Sequence, residues 1–203
     1  MPVPQTLLTL AAAATLVGAL AGPAAAASDE EHADARKDVV TRSAFSDDPP
    51  RKVDPSRRLG DIMTAATSYG TDLVVTTRFR NLQDLGHQEF HWWIRTPASR
   101  YPYEATLVVN QGQRKGRLTL LDPDANNLRC ASAALDRTRR SVTLTVPGTC
   151  VGEPETVRVG SGVLFVLNDR EFWDDARIDG AVKDGWKYGP SVTRALPSGR
   201  AAS

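Results

Sequence analysis

The residues whose types best suit a calcium site in this chain are Asp122, Asp124 and Asn126, which follow the D-x-D-x-N start of a calcium-binding loop. An EF-hand loop has glycine at its sixth position and glutamate at its twelfth, where this chain has Asn127 and Ala133. The sequence therefore excludes an EF-hand. Two interpretations stay open: a looser, oxygen-rich calcium site between strands, or a plain turn, which Asp, Pro and Asn favour by themselves.

Other candidate metal ligands have less specific patterns. Asp174, Asp175 and Asp179 form a second acidic group, for which calcium binding and a solvated loop are the two interpretations. His87 and His91 do not fit H-E-x-x-H, because glutamine holds the second position. On a strand they lie about 13 Å apart, so they cannot hold one ion unless His87 belongs to the preceding loop. From these patterns we expect no cofactor, with a structural calcium ion as the alternative.

Aromatic residues offer a different chemistry, the stacking of a flat ring on a sugar. Alternation along a strand sends Trp92 and Trp93 to opposite faces, so we expect one in the core and one exposed. Trp93 with Tyr101 or Tyr103 would then form a platform for a carbohydrate. Ordinary packing of these rings is the alternative interpretation.

Nucleophilic catalysis lacks its usual pattern. The chain has no G-x-S-x-G nucleophile elbow, and Gly160-Ser161-Gly162 lies inside a predicted strand with no evident histidine partner. Pairs of carboxylates form in space, so their absence from the sequence pattern does not exclude a hydrolase. We therefore expect a non-enzymatic protein, with no catalytic residue assigned, and keep a hydrolase with carboxylates assembled by the fold as an alternative.

The two cysteines of the chain, Cys130 and Cys150, are predicted to form a disulfide. Residues 136–140 are expected to turn between two strands, which brings Thr145 near the position opposite Cys130. Residues 147–149 would then turn the chain back, as proline and glycine allow. The C-x-x-C spacing of redox sites is absent, and a zinc site would need about four ligands. Closing a loop of this size stabilises a fold by about 3 kcal/mol.

The elements that must position these residues are short strands. From Val53 onward, runs with an apolar period of two alternate with turn residues. Eight strands are predicted, at 61–68, 73–80, 88–96, 103–111, 117–122, 128–135, 141–146 and 156–167. We expect a bulge at Gly160 or Gly162 in the last strand. The pattern predicts an all-β fold, a jelly-roll-like antiparallel β-sandwich with an irregular C-terminal tail.

The N-terminal region predicts export. Leu7 to Leu20 is an apolar run of signal-peptide length, shorter than the about 20 residues of a membrane span. A run of alanines ending at Ala27 offers the cleavage site. We predict a signal peptide at 1–27, a flexible charged spacer at 28–52, the β-sandwich domain at 53–190 and a disordered tail at 191–203. The mature protein is expected to be secreted and extracellular, where a disulfide persists.

Composition limits the partners. The formal net charge is +1, which gives no overall attraction to nucleic acid or to anionic lipid. We expect no nucleic-acid partner and no membrane span. The partner itself stays unknown, with a glycan or a cell-envelope component as the expectation.

Three stretches of the chain resemble a family. VDPSRRLGDI, LVVTTRFRNL and the hairpin end TVPGTC together resemble small exported actinobacterial proteins of unknown function, over roughly Val53 to Leu167. The resemblance implies a fold similar to carbohydrate-binding or DOMON-type β-sandwiches and implies no activity. A DOMON-type haem site would be expected to use Met63 and a histidine.

Overall fold

The structure, a computed structural model, describes residues 29–35, 37–43, 52–178 and 187–195. Its strands are β1 (Glu30–Ala33), β2 (Val40–Ser43), β3 (Lys52–Val53), β4 (Ile62–Tyr69), β5 (Asp72–Phe79), β6 (His87–Arg95), β7 (Tyr103–Asn110), β8 (Arg117–Leu121), β9 (Asn127–Leu128), β10 (Ser132–Asp136), β11 (Ser141–Pro147), β12 (Thr156–Leu167), β13 (Arg170–Asp175) and β14 (Val192–Thr193). A 3₁₀ turn, Gly148–Val151, follows β11. Within the described ranges, no helix is long and apolar enough to cross a membrane. The predicted signal peptide lies outside them.

Two antiparallel sheets pack together. The five-stranded sheet has the order β1-β4-β5-β11-β10, and the nine-stranded sheet has the order β3-β2-β13-β12-β6-β7-β8-β9, with β14 pairing the start of β12. All ladders between these strands are antiparallel. The prediction of an all-β antiparallel sandwich is confirmed, and the number of strands exceeds the expected eight.

The core lies between the sheets and follows the predicted alternation. On β5, Leu73, Val75, Thr77 and Phe79 are all buried, while the residues between them face outward. From the nine-stranded sheet, Phe90 packs edge-on against Phe79, with ring centroids 5.6 Å apart. The inward side chains of both sheets thus close one apolar interior.

The prediction of a flexible spacer at 28–52 is wrong for the described residues of that segment. β1 pairs with β4 in one sheet, and β2 pairs with β13 and β3 in the other. Val39 and Val40 are fully buried. Short strands in a charged segment depend on partners from elsewhere in the chain, and local composition does not show those partners.

The expectation of an irregular C-terminal tail also needs correction. β13 forms a full ladder with β12 and joins it to β2. Beyond the end of β13, β14 pairs with the first residues of β12, and Val192 is buried. Residues 191–195 therefore belong to the sandwich rather than to the predicted disordered tail, whose residues 196–203 lie outside the described ranges.

The expected bulge in β12 is absent. The register of β12 against β6 runs without a shift from Arg158 to Val166. Gly160 and Gly162 instead permit close approach of the backbone, since a Cβ at these positions would lie 2.7 Å from the carbonyl oxygen of Lys187 and 3.2 Å from that of Asp174. The register does shift between Ile62 and Thr64 of β4, which places Met63, the residue of the haem expectation, at a bulge.

The disulfide joins Cys130 and Cys150, with their Cα atoms 6.2 Å apart. Ser132 rather than Cys130 lies opposite Thr145, so the predicted register was off by two residues. The chain turns back through the 3₁₀ turn after β11, as expected. The bond ties the end of β11 to the connection from β9 to β10, where the chain passes from one sheet to the other.

Candidate functional site

Both tryptophans of the expected aromatic pair are buried. Trp92 is 1% exposed and Trp93 is 4% exposed, so the expectation of an exposed Trp93 is wrong. Trp93 does face outward from the sheet, as alternation predicts, but the His91 ring stacks on it at 5.7 Å. A Cβ at neighbouring Gly160 would lie 2.7 Å from the carbonyl oxygen of Lys187, so the C-terminal segment covers this face.

The two tyrosines differ in position. Tyr103 lies opposite Ile94 and packs against the apolar core, on the other face of the sheet from Trp93. Tyr101 is 59% exposed. Because the three rings occupy different environments, they do not form the predicted platform, and of these three only Tyr101 presents its ring to solvent.

The Asp122 loop has the hydrogen bonds of a turn. Oδ1 of Asp122 accepts bonds from the backbone N–H of Asp124 at 3.0 Å and of Asn126 at 2.8 Å. The side-chain amide of Asn126 donates to the same carboxylate. These bonds lower the pKa of Asp122. The three residues of the calcium expectation are therefore brought together, and their arrangement supports the alternative interpretation as a turn.

A buried carboxylate cluster was not predicted as such. Carboxylate oxygens of Asp34, Asp38 and Asp174 lie within 4.8 Å of one another, which is a spacing that could hold a cation. The backbone N–H of Ile62 donates to Asp174 Oδ2 at 2.6 Å. Burial and the neighbouring aspartates raise the pKa of Asp174 well above its ordinary value. The sequence pointed to Asp174 only, because Asp34 and Asp38 were assigned to the spacer; Asp179 lies outside the described residues.

Asp175, the next residue along β13, faces the opposite side of the sheet and is fully buried. Its Oδ1 accepts a hydrogen bond from the backbone N–H of Arg177 at 2.9 Å. Burial raises the pKa of Asp175 to about 6, although this backbone bond and the charges of Lys187 and Arg177 act against the shift.

Lowering the pH from about 7 to about 5 is expected to stabilise the fold by about 1 kcal/mol through Asp175 alone. Its folded-state pKa of about 6 lies above the ordinary 3.8, so in this window the folded chain binds more protons than the unfolded chain. Stability therefore rises as the pH falls through 6 and is lost as the pH rises again. Urea unfolding at both pH values measures the change.

Asp175→Asn provides the matched control, because asparagine keeps an oxygen for the Arg177 N–H but does not titrate. The pH dependence should shrink by about 1 kcal/mol in this variant. Asp174 and His87, whose pKa values are also raised, remain in the variant and act in the same direction. A pH dependence equal to that of the original chain would contradict the assignment to Asp175.

His87, Glu89 and His91 alternate along the outward face of β6. The Glu89 carboxylate lies between the two rings, at 2.6 Å from His87 Nε2 and 3.2 Å from His91 Nε2. The bond to Glu89 raises the pKa of His87, whereas burial lowers the pKa of His91. His87 begins the strand and does not belong to the preceding loop. The Glu89 carboxylate thus separates the two histidines, hydrogen-bonded to His87 and within ion-pair distance of His91.

A polar cleft lies where β6 ends and β12 begins. We call it the arginine cleft; it has a volume of about 220 Å³, and its polar lining is formed by Arg95, Thr96, Ser99, Thr156, Arg158 and Ser191. Arg95 ends β6, and the ladder register places it directly opposite Arg158 of β12. Ile94 and Val157 next to them are buried, so both arginines face outward.

Two further segments close this cleft. Thr96 and Ser99 come from the loop after β6, and Ser191 comes from the segment that leads into β14. Ser99 Oγ donates a hydrogen bond of 2.7 Å to the carbonyl oxygen of Tyr101. This bond fixes the loop and places the exposed Tyr101 two residues from the cleft lining. The cleft thus combines two guanidinium groups and four hydroxyl groups, and Ser99 in its lining is hydrogen-bonded to the backbone of the exposed Tyr101.

The sequence contained no signal for this cleft. Arg95 and Arg158 are distant along the chain, and each reads as an outward-facing charge at the end of a strand. Only the register of β12 against β6 places them side by side. Of the predicted binding residues, Tyr101 alone lies near this cleft.

Comparisons with known proteins do not assign the chain to a family. No protein-family model matches the chain. A search of curated proteins gives no significant match. The functional proposal below therefore rests on the side chains of the described residues.

Proposed function

We propose that the chain is an exported, non-enzymatic binding domain that acts at or outside the cell surface. Its ligand is a glycan or another cell-envelope component, bound at the arginine cleft with Tyr101 at the rim. The single observation that carries this proposal is a cleft lined by hydroxyl and guanidinium groups, of which Ser99 is hydrogen-bonded to the backbone of the exposed Tyr101.

The composition of the cleft supports a polar ligand of this kind. Hydroxyl groups of Thr156 and Ser191 can donate and accept hydrogen bonds, which suits the hydroxyl groups of a sugar. A tyrosine ring offers a flat apolar face that packs on the C–H groups of a pyranose. The disulfide is compatible with an extracellular location, since disulfides persist in oxidising compartments.

A hydrolase is supported less well. The carboxylate cluster found among the described residues, formed by Asp34, Asp38 and Asp174, is buried between the sheets, where a polymer would not reach it. Binding without turnover is the function that the described geometry supports best.

Tyr101→Ala is expected to weaken polysaccharide binding about fivefold to tenfold, because stacking on an aromatic ring contributes about 1 kcal/mol. Affinity electrophoresis in gels that contain a panel of neutral and acidic polysaccharides measures the effect. Val53→Ala is the matched control, since Val53 is the other large apolar side chain that is exposed in the described chain, at 40%, and it lies on β3, four strands from β6. Binding that is equal in both variants would reject the role of Tyr101.

A further inference from the structure

Arg95 and Arg158 form a pair of like charges on neighbouring strands. The two residues lie directly opposite each other in the β6–β12 ladder, with both side chains on the outward face. Like charges directly opposite in an antiparallel pair destabilise a sheet. A negative charge bound between the two arginines would offset this repulsion.

The described chain supplies no carboxylate counter-charge to this pair. Within the described ranges, no carboxylate oxygen lies within 4.0 Å of either guanidinium, whereas six other arginines each have such a partner: Arg42, Arg80, Arg137, Arg139, Arg177 and Arg194. Burial and the charge of Glu104 raise the pKa of Tyr188, which contacts both arginines. Glu104 itself forms no ion pair with either arginine. Arg95 and Arg158 thus lie directly opposite each other with no acid of the described chain within ion-pair distance.

The backbone and one aromatic ring hold the pair in place. Arg158 Nε donates to the carbonyl oxygen of Gly189 at 2.8 Å, and Nη2 approaches the carbonyl oxygen of Tyr188 at 3.5 Å. The Arg95 guanidinium lies 5.9 Å from the centre of the Tyr188 ring. With these contacts in place, both side chains line the cleft. Their orientation is thus set before a ligand binds.

We infer that the ligand of the arginine cleft carries an anionic group, a sulfate, phosphate or carboxylate, that binds between Arg95 and Arg158. This inference rests on the proposed function and gives it a substrate class, an acidic polysaccharide. Guanidinium groups match the oxygens of these anions in charge and geometry and bind them through two parallel hydrogen bonds. The hydroxyl groups of Thr156 and Ser191 line the same cleft and add neutral donors.

The test compares dextran sulfate with dextran, which share a backbone and differ in the anionic group. Binding of the full chain is measured by isothermal titration calorimetry. Dextran sulfate should bind in saturable fashion and dextran should bind at least about tenfold more weakly, because a charge-assisted hydrogen bond is worth about 1.5–3 kcal/mol. Polygalacturonate and poly(glycerol phosphate) are the further probes, and their ranking against dextran sulfate identifies which anion the cleft prefers.

Arg95→Gln is the main variant, because Arg158 also holds residues 188 and 189. It should weaken binding of the preferred polyanion about tenfold or more. Arg139→Gln is the matched control for loss of one positive charge, since Arg139 is 84% exposed in the turn between β10 and β11. That control should change the affinity by less than about twofold, in line with the small effect of exposed charges. Circular dichroism confirms that each variant is folded.

The outcomes separate this inference from the proposed function. Equal losses in Arg95→Gln and Arg139→Gln would show diffuse charge attraction and overturn the inference. Equal binding of dextran and dextran sulfate, with Tyr101→Ala weakening both, would overturn the anionic ligand and leave the proposed function intact. Binding of none of the polysaccharides would overturn both.

Discussion

Phe90→Ala is expected to lower the free energy of unfolding by about 4 kcal/mol, the largest single effect that we predict. Phe90 is buried between the sheets, and its ring packs edge-on against Phe79 and Phe165 at centroid distances of 5.6 and 6.1 Å. Phe79 belongs to the five-stranded sheet and Phe165 to the nine-stranded sheet, so truncation opens a cavity where the sheets meet. Loss of the two ring contacts adds to the loss of buried apolar area.

Chemical denaturation monitored by tryptophan fluorescence measures this loss. Phe90→Leu keeps most of the volume and should cost about 1 kcal/mol. Tyr101→Ala, at an exposed position, should change the stability by less than about 0.5 kcal/mol. A loss of less than about 2 kcal/mol in Phe90→Ala would mean that the sheets do not close around this ring.

Removal of the disulfide is expected to lower the free energy of unfolding by about 3 kcal/mol. The bond closes a loop with a sequence separation of 20 between Cys130 and Cys150, and it reduces the freedom of the unfolded chain. In the folded chain it holds the passage from β9 to β10 against the end of β11. The double variant Cys130→Ser, Cys150→Ser, unfolded by urea, measures the difference.

Reduction supplies the internal control for this prediction. A reducing agent should destabilise the original chain by the same amount and should leave the double variant unchanged. Mass spectrometry after alkylation without reduction reports the state of both thiols. Two alkylated cysteines in protein recovered from an oxidising medium would contradict the bond.

The carbohydrate expectation shows that a strand pattern predicts the face of a side chain but not its exposure. Alternation placed Trp92 in the core and Trp93 on the outward face, as the structure has them. It could not show that the carbonyl oxygen of Lys187 lies over the neighbouring Gly160 and that the C-terminal segment closes this face. Burial of an outward side chain depends on what else crosses the sheet, and that information is distant in sequence.

The burial of Asp34 and Asp38 is a second feature that the local sequence could not predict. Asp34 and Asp38 stand in a charged segment that local composition assigns to a spacer. They are buried because β1 joins one sheet and β2 joins the other, which places the connection between them against Asp174. Ladders of three or four residues have too little local pattern to be predicted without their partners.

The sequence by itself determined the fold class, most of the long strands from β4 to β12 and the pairing of the two cysteines. These features depend on alternation, turn residues and residue counts, which are local properties of the chain. Only the tertiary structure decided the roles of the short strands at both ends, the cover over Trp93 and the meeting of Arg95 with Arg158. Those features depend on sheet order and register, because a strand shows its own two faces but not the strand that will lie beside it.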